Sequence, residues 1–268
     1  MLLLSTTAWA GPWIKAPGEH YVKLGGSGFV ATEYVDPSVE AASDLEYAGW
    51  LASVYAEVGV LEGLQVTAQL PWSLGTNTES VGGRSYSSRG LGDALLGVGA
   101  DVPGVALPLS VSLLSRLPLY DETGRPELHP SLGDAQVDVD ALVAVGQGGP
   151  LGAHAVWGLA EAGYRARTAW SPSATWTGSA PSDGLTYRAQ AGWLPRVGER
   201  GLGWVSLDAS GLVNLQHDPS TKQWHQWNLG VAAALARGFH LEVGAQQIYA
   251  AQASSKGFGG SVGLSKVR

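Results

Sequence analysis

No cysteine occurs among the 268 residues. That excludes disulfides, thiolate metal sites, cysteine nucleophiles and a lipid anchor on an N-terminal cysteine. Charge is scarce too, at 15% of residues against a usual share of about a quarter. The formal net charge of -7 argues against a nucleic-acid partner, whose phosphates need a basic footprint. No apolar run approaches the roughly 18 residues of a membrane-spanning helix. If the chain crosses a membrane, it crosses with strands.

What is abundant points the same way. There are 38 glycines and 11 tryptophans, and few charges with many glycines and tryptophans suit a lipid-facing β-protein with an aromatic belt. The first ten residues, "MLLLSTTAWA", have an apolar start and close on Ala8-Trp9-Ala10, an arrangement that a signal peptidase cuts. Residues 1–10 are therefore expected to be the tail of a signal peptide, and 11–268 a single β-domain.

The stretch "GDAQVDVDALVAVGQG" shows the pattern that decides the class. Asp134, Gln136, Asp138 and Asp140 fall on one parity, and Ala135, Val137, Val139, Ala141, Val143 and Val145 on the other. A half-buried strand has period two, so this is β. In a soluble sandwich the apolar face would pack inward; in an outer-membrane barrel it would meet lipid, with the acids lining the lumen.

The rest of the chain separates the two. Period-two reading predicts twelve strands, near 20–31, 47–60, 64–73, 92–102, 107–118, 133–147, 153–167, 185–196, 203–216, 225–235, 239–250 and 257–266. Most reach the roughly 9 to 11 residues that a tilted strand needs to span a bilayer. Long polar connections, such as "LGTNTESVGGRSYSSRG" and "LYDETGRPELHPSL", follow the odd-numbered strands through the ninth. Short ones, such as "LEG" and "ARG", follow the even-numbered strands through the tenth. Outer-membrane barrels sort their loops in this way, with short periplasmic turns and longer outside loops. Charges obey the same logic: on the apolar parity, Glu46 and Lys266 lie only at strand ends. A Lys or Arg facing lipid at the midplane costs roughly 2 to 4 kcal/mol, and that cost acts as the filter. The expected fold is an all-β, transmembrane, antiparallel up-and-down β-barrel of about 12 strands. An even strand number puts both termini on the periplasmic side of a gram-negative outer membrane. Trp50, Trp72, Tyr164, Tyr187, Trp193, Trp227, Phe239, Tyr249 and Phe258 are expected in its aromatic girdles.

The inward parity carries the candidate site. Arg116, Asp134, Asp138, Asp140, Glu161, Arg165, Arg167, Arg188 and Asp208 interleave acids and bases across neighbouring strands. They would form a charged constriction that filters solutes or a salt-bridge network that fills the lumen. Eight-stranded barrels are filled by side chains and sixteen-stranded ones leave a channel, so twelve strands lie between. Leu95, Leu114, Leu142, Trp157, Leu159, Leu194, Leu212 and Ile248 also face inward, as a packed lumen or one that accepts apolar solutes requires. The facing wall, with Gln226, Asn228, His240, Glu242 and Gln246, is expected to be polar but less charged.

Several segments together resemble a known family: "GPWIKAPGEHYVKLGGSGFVATEYVD", "QLPWSLGT", "RGLGDALLGVGADV", "SLLSRLPLYDETG", "SLGDAQVDVDALVAVG" and "AEAGYRAR". They are similar to the outer-membrane proteins grouped as the meta-pathway phenol-degradation family, regarded as transporters or channels of gram-negative bacteria. The resemblance implies a barrel that passes small organic molecules, with no catalytic residue. Barrels of this kind usually end on an aromatic residue, whereas this chain ends "GLSKVR".

Other chemistries find less support. A lipid hydrolase needs a Ser and a His on the lipid side of the outer edge. His129, His217 and His225 are placed in or beside outside loops, His20 and His154 near the opposite rim, and His240 inward. Asp121, Glu122 and Glu127 carry oxygen ligands but fit no calcium template. "GLGDALLGVG" is followed by no helix to hold a phosphate. The leading expectation is a passive channel for small, aromatic or partly apolar molecules, in contact with outer-membrane lipid and needing no cofactor or metal. The others are a sealed barrel whose outside loops act as receptor or adhesin, a lipid hydrolase, and a soluble two-sheet protein.

Overall fold

The computed structural model describes residues 11–35, 42–43, 45–121, 128–168, 181–197, 200–216 and 221–268. The expected signal remnant at 1–10, Glu122, Glu127 and His217 lie outside them. Twelve long strands form one closed antiparallel barrel. They are β1 (His20–Val35), β2 (Leu45–Leu61), β3 (Leu64–Glu79), β4 (Asp93–Asp101), β5 (Leu109–Pro118), β6 (Asp138–Leu151), β7 (His154–Arg167), β8 (Gly184–Leu194), β9 (Gly203–Asn214), β10 (Gln223–Ala234), β11 (Phe239–Gln252) and β12 (Ser254–Val267). Each pairs with its neighbour in sequence, and β12 closes on β1 from Tyr21↔Val267 to Val35↔Ser254. His20 and Arg268 exchange both backbone hydrogen bonds at 3.0 Å, so the barrel's two ends meet at one rim. We call this the terminal rim and the opposite one the loop rim.

The alternation seen in the sequence sorts the side chains. Leu207 is 57% exposed and Asp208 is 3% exposed; Val143 is 51% exposed and Asp140 is 1% exposed. Residues of opposite parity on one strand differ this sharply only when the apolar parity is the outer surface. Such a belt of bare Leu, Val and Trp is stable against lipid and costly against water. The soluble sandwich is thereby excluded. A 14-residue strand is roughly 47 Å long; tilted by about 40° it covers a hydrocarbon core of about 30 Å with a few residues to spare.

One place in the wall is irregular. The lower half of β3 pairs with β4 (Leu64↔Ala100 to Gln69↔Leu95), but its upper half pairs with the extra segment Ser85–Leu91. The change falls at Pro71, which has no N–H to offer the ladder. Its carbonyl takes the Gly92 N–H at 3.1 Å instead. The connections follow the predicted asymmetry, with Glu62-Gly63 and Gly152-Ala153 turning tightly at the terminal rim. At the loop rim β11 and β12 are joined through Ala253 alone, at φ 47.

The sixth strand starts later than the alternation predicts. Ladder pairing begins at Asp138, and Ala135 has φ 60, which turns the backbone away from strand geometry. Asp134 and Gln136 therefore belong to the connection rather than to the wall.

Candidate functional site

The interior is built from the inward parity. On β5, β6 and β7, Asp140 is gripped by two guanidiniums: Arg165 donates Nε at 2.6 Å and Nη2 at 3.1 Å, and Arg116 donates Nε at 3.2 Å. Asp140 faces Arg165 directly in the register, and Asp138 lies between Arg116 and Arg167. Gln136 caps Asp138 from the connection at 2.9 Å. A second group sits on β8 to β10. Arg188 ion-pairs with Asp208 and donates to Gln190 at 2.8 Å, while Asn228 and Ser210 donate to Asp208 at 2.9 and 3.2 Å. Glu161 lies across the ladder from Arg188 and is half-buried. The predicted set is thus brought together with two exceptions. Asp134 has left the wall, and Arg167 spends its guanidinium on the carbonyls of Ser182 (3.4 Å) and Lys222 (3.3 Å), where it anchors loops at the rim.

The packing of this ladder is tight. Asp138 and Asp140 are 0 and 1% exposed, and Leu95, Leu114 and Leu142 form an apolar cluster on the same strands. Buried ion pairs of this kind must satisfy one another, because an uncompensated charge there is costly. A second apolar cluster, centred on Phe29, Leu51, Leu212, Trp224 and Ile248, fills the loop-rim half on the far side.

Two covering segments were not foreseen. Residues 11–16 precede β1 and lie inside the barrel, crossing its inner face from β2 to β7. Lys15 pairs with Glu57 at 3.1 Å and its N–H reaches Gln65 Oε1 at 3.1 Å. Trp13 meets Trp157 edge-on at 6.0 Å. The wall is cut to receive this segment: a Cβ on Gly146 would stand 2.5 Å from Pro12 Cγ, and one on Gly99 3.3 Å from Ile14 Cδ1. At the other end, residues 128–137 fold into the mouth. Asn77 donates to Leu128 O at 2.8 Å, Asp134 N to Asp93 at 2.8 Å and Ala135 N to Tyr120 Oη at 2.7 Å. Lys222 then reaches Asp134 from the β9–β10 connection at 2.7 Å. Burial alone would raise the Asp134 carboxyl; the Lys222 ammonium and Arg167 guanidinium outweigh it and hold the group well below the ordinary carboxylate range.

Between the N-terminal segment and the terminal rim lies a cavity of about 750 Å³ lined by Trp13, Trp157, Trp204, His154, Glu57 and Glu242, among others. Both carboxylates are paired, Glu57 with Lys15 and Tyr55, and Glu242 with Lys23 (2.6 Å) and Tyr21 (2.7 Å). The facing wall is therefore more charged than the sequence reading held, because Lys23 on β1 joins Glu242 on β11. The inward parity of Lys23 was the available signal.

His225 lies on the outward parity of β10, where Tyr187 Oη and its Nδ1 share a hydrogen bond of 2.6 Å and Tyr249 stacks on the ring. Its ring partners are tyrosines rather than a serine.

No family model matches the chain, and no curated protein sequence matches it. Solved structures do. The chain is similar to the COG4313 outer membrane channel from Pseudomonas putida F1, at 12% identity over 97% of this chain and 100% of that one, with a TM-score of 0.65. It is also similar to the β-domain of the Bordetella autotransporter BrkA, at 12% identity over 93% and 98% of the two chains (TM-score 0.52). A third is the translocator domain of the autotransporter NalP from Neisseria meningitidis, at 11% identity over 94% and 89% (TM-score 0.50). What these likenesses show is the fold, that of the outer-membrane β-barrels.

Proposed function

We infer that the protein is a narrow channel in a gram-negative outer membrane that passes small, partly apolar molecules, aromatic ones among them. Both termini then face the periplasm, and residues 128–137 cover the outside mouth. The observation that carries this reading is the open cavity of about 750 Å³ between the wall and the N-terminal segment, with three tryptophans and two neutralised carboxylates around it. Pockets of this size and lining suit an apolar body with a few polar contacts. The resemblance to the meta-pathway phenol-degradation family supports the same reading, as does the description of the Pseudomonas putida relative as a channel.

One observation favours a second reading, a sealed barrel that binds through its outside loops: the buried ladder and the two covering segments leave a filled mid-section. Planar-bilayer recording separates the two. A channel gives small discrete conductance steps that a small aromatic alcohol reduces when added on one side. A folded, inserted protein that stays silent would favour the sealed barrel.

A further inference from the structure

The wall opposite the Arg–Asp ladder is rich in glycine and serine. On β1, β11 and β12 the inward positions meet in three levels: Gly25 with Gly263 and Glu242, Ser27 with Ser261 and Gly244, and Phe29 with Gly259 and Gln246. This makes a glycine–serine lane roughly 14 Å long, four residues of strand at about 3.4 Å each.

Two of its buried polar groups lack partners among the described residues. Ser27 is 6% exposed and Gln246 is 7% exposed, and neither Ser27 Oγ nor Gln246 Nε2 has a hydrogen-bond partner among those residues. Buried groups of this kind are normally satisfied, so each would gain a partner from a solute that displaces the side chains over it. Side-chain stems lie over the lane: a Cβ on Gly263 would stand 2.7 Å from Lys23 Cε, and one on Gly259 would stand 3.2 Å from Gln246 Cγ. The Gln246 stem can swing aside by rotamer change, while Lys23 is held at the end of the lane by one ion pair, with Glu242 at 2.6 Å. On the ladder wall Asp140 is gripped by two guanidiniums and backed by Leu95, Leu114 and Leu142, so clearing it would break more than one pair.

We propose that solutes pass along this lane of β1, β11 and β12 and not through the Arg–Asp ladder. Ser27 and Gln246 bind the polar group of an uncharged or partly apolar solute, the cluster packed around Phe29 and Ile248 at the loop-rim end parts by rotamer change to take its apolar end, and the Lys23–Glu242 pair forms the terminal-rim sill. The ladder is then the stiff back wall of the pore. This rests on the channel reading above and adds the route.

The absence of cysteine makes the test clean. Ser261→Cys on the lane and Ser210→Cys beside Asp208 each create the only thiol in the full chain. Both are inserted in planar bilayers and treated with a small sulfonated methanethiosulfonate reagent, with folding checked by heat-shifted migration on a gel. The expected result is that Ser261→Cys loses its conductance and recovers it with a thiol reductant, while Ser210→Cys reacts at least about tenfold more slowly. As a second variant, Lys23→Ala, which clears the lane at Gly263, should raise conductance. Equal or faster reaction at Ser210→Cys, or an unchanged Lys23→Ala conductance, overturns the lane and leaves the channel reading standing. A folded wild-type barrel that does not conduct overturns both.

Discussion

Asp140 is the most exacting place to test the ladder. Its side chain is 1% exposed, and it is the shared acceptor of two buried guanidiniums, Arg165 and Arg116. Asp140→Ala would leave both cations facing each other in a dry interior. Breaking a buried pair by deleting one partner costs about 3–5 kcal/mol, a factor of roughly 150 to 4,000 in the folding equilibrium at about 1.4 kcal/mol per decade. The figure belongs within that range and not above it, since two cations lose Asp140 while Asp138 stays beside Arg116 in the ladder. Replacing the whole cluster by apolar or neutral residues of like volume, Arg116→Met, Asp138→Asn, Asp140→Leu and Arg165→Met, should cost less than Asp140→Ala alone, because no buried carboxylate is then left without its guanidiniums. Urea titration of the protein refolded in lipid vesicles, followed by tryptophan fluorescence, measures both. An Asp140→Ala loss below about 1 kcal/mol would place the ladder in water, and the filled back wall would have to be given up.

The remaining predictions concern the covers and the packing. Lys222→Ala removes a charge-assisted bond to the loop in the mouth, worth about 1.5–3 kcal/mol; single-channel records should show longer openings, restored by the charge exchange Lys222→Asp with Asp134→Lys. The clasp should also be insensitive to mild acid. Despite burial, Lys222 and Arg167 hold Asp134 below its ordinary range, so its contribution is complete above the unfolded value of about 3.9 and is lost only as pH falls below that. The difference in open time between the wild type and Lys222→Ala, which isolates this ion pair, should accordingly be the same at about pH 8 and at about pH 5. Gly146→Val would drive a side chain into Pro12 and Trp13, and protease should then cut the N-terminal segment faster than in the wild type. Leu95→Ala, at a site 2% exposed, should lower the stability by about 2–5 kcal/mol in the same urea titration.

Much of the barrel was legible because its determinants are local. Period two fixed which side chains face lipid, and the cost of a charge in hydrocarbon kept that pattern strict, so Arg116, Asp138, Asp140, Arg165, Arg188 and Asp208 could be placed in the lumen from parity alone. Asp134 was misplaced because alternation already runs through Gly133–Val137, before the strand begins at Asp138. Polarity carries no mark of the positive φ at Ala135. The N-terminal segment was missed for a different reason. Its contacts with Glu57, Gln65 and Gly146 are long-range, and their trace in the sequence is a few glycines whose strand positions also fit simple relief of crowding. The loop across the mouth is held by Asn77, Asp93 and Lys222, distant in sequence and invisible to any periodicity. Lys23 was legible from its inward parity, but its partner Glu242 lies across the closing seam of the barrel, far away in sequence.

The most direct measurement is solute influx into lipid vesicles carrying the folded protein, followed by light scattering as the vesicles swell. A channel with an apolar-lined cavity should admit small solutes, and should admit partly apolar ones faster than fully polar ones of the same size. Swelling no faster than in protein-free vesicles for either kind of solute, with the barrel shown to be folded and inserted, would contradict passage through the lumen.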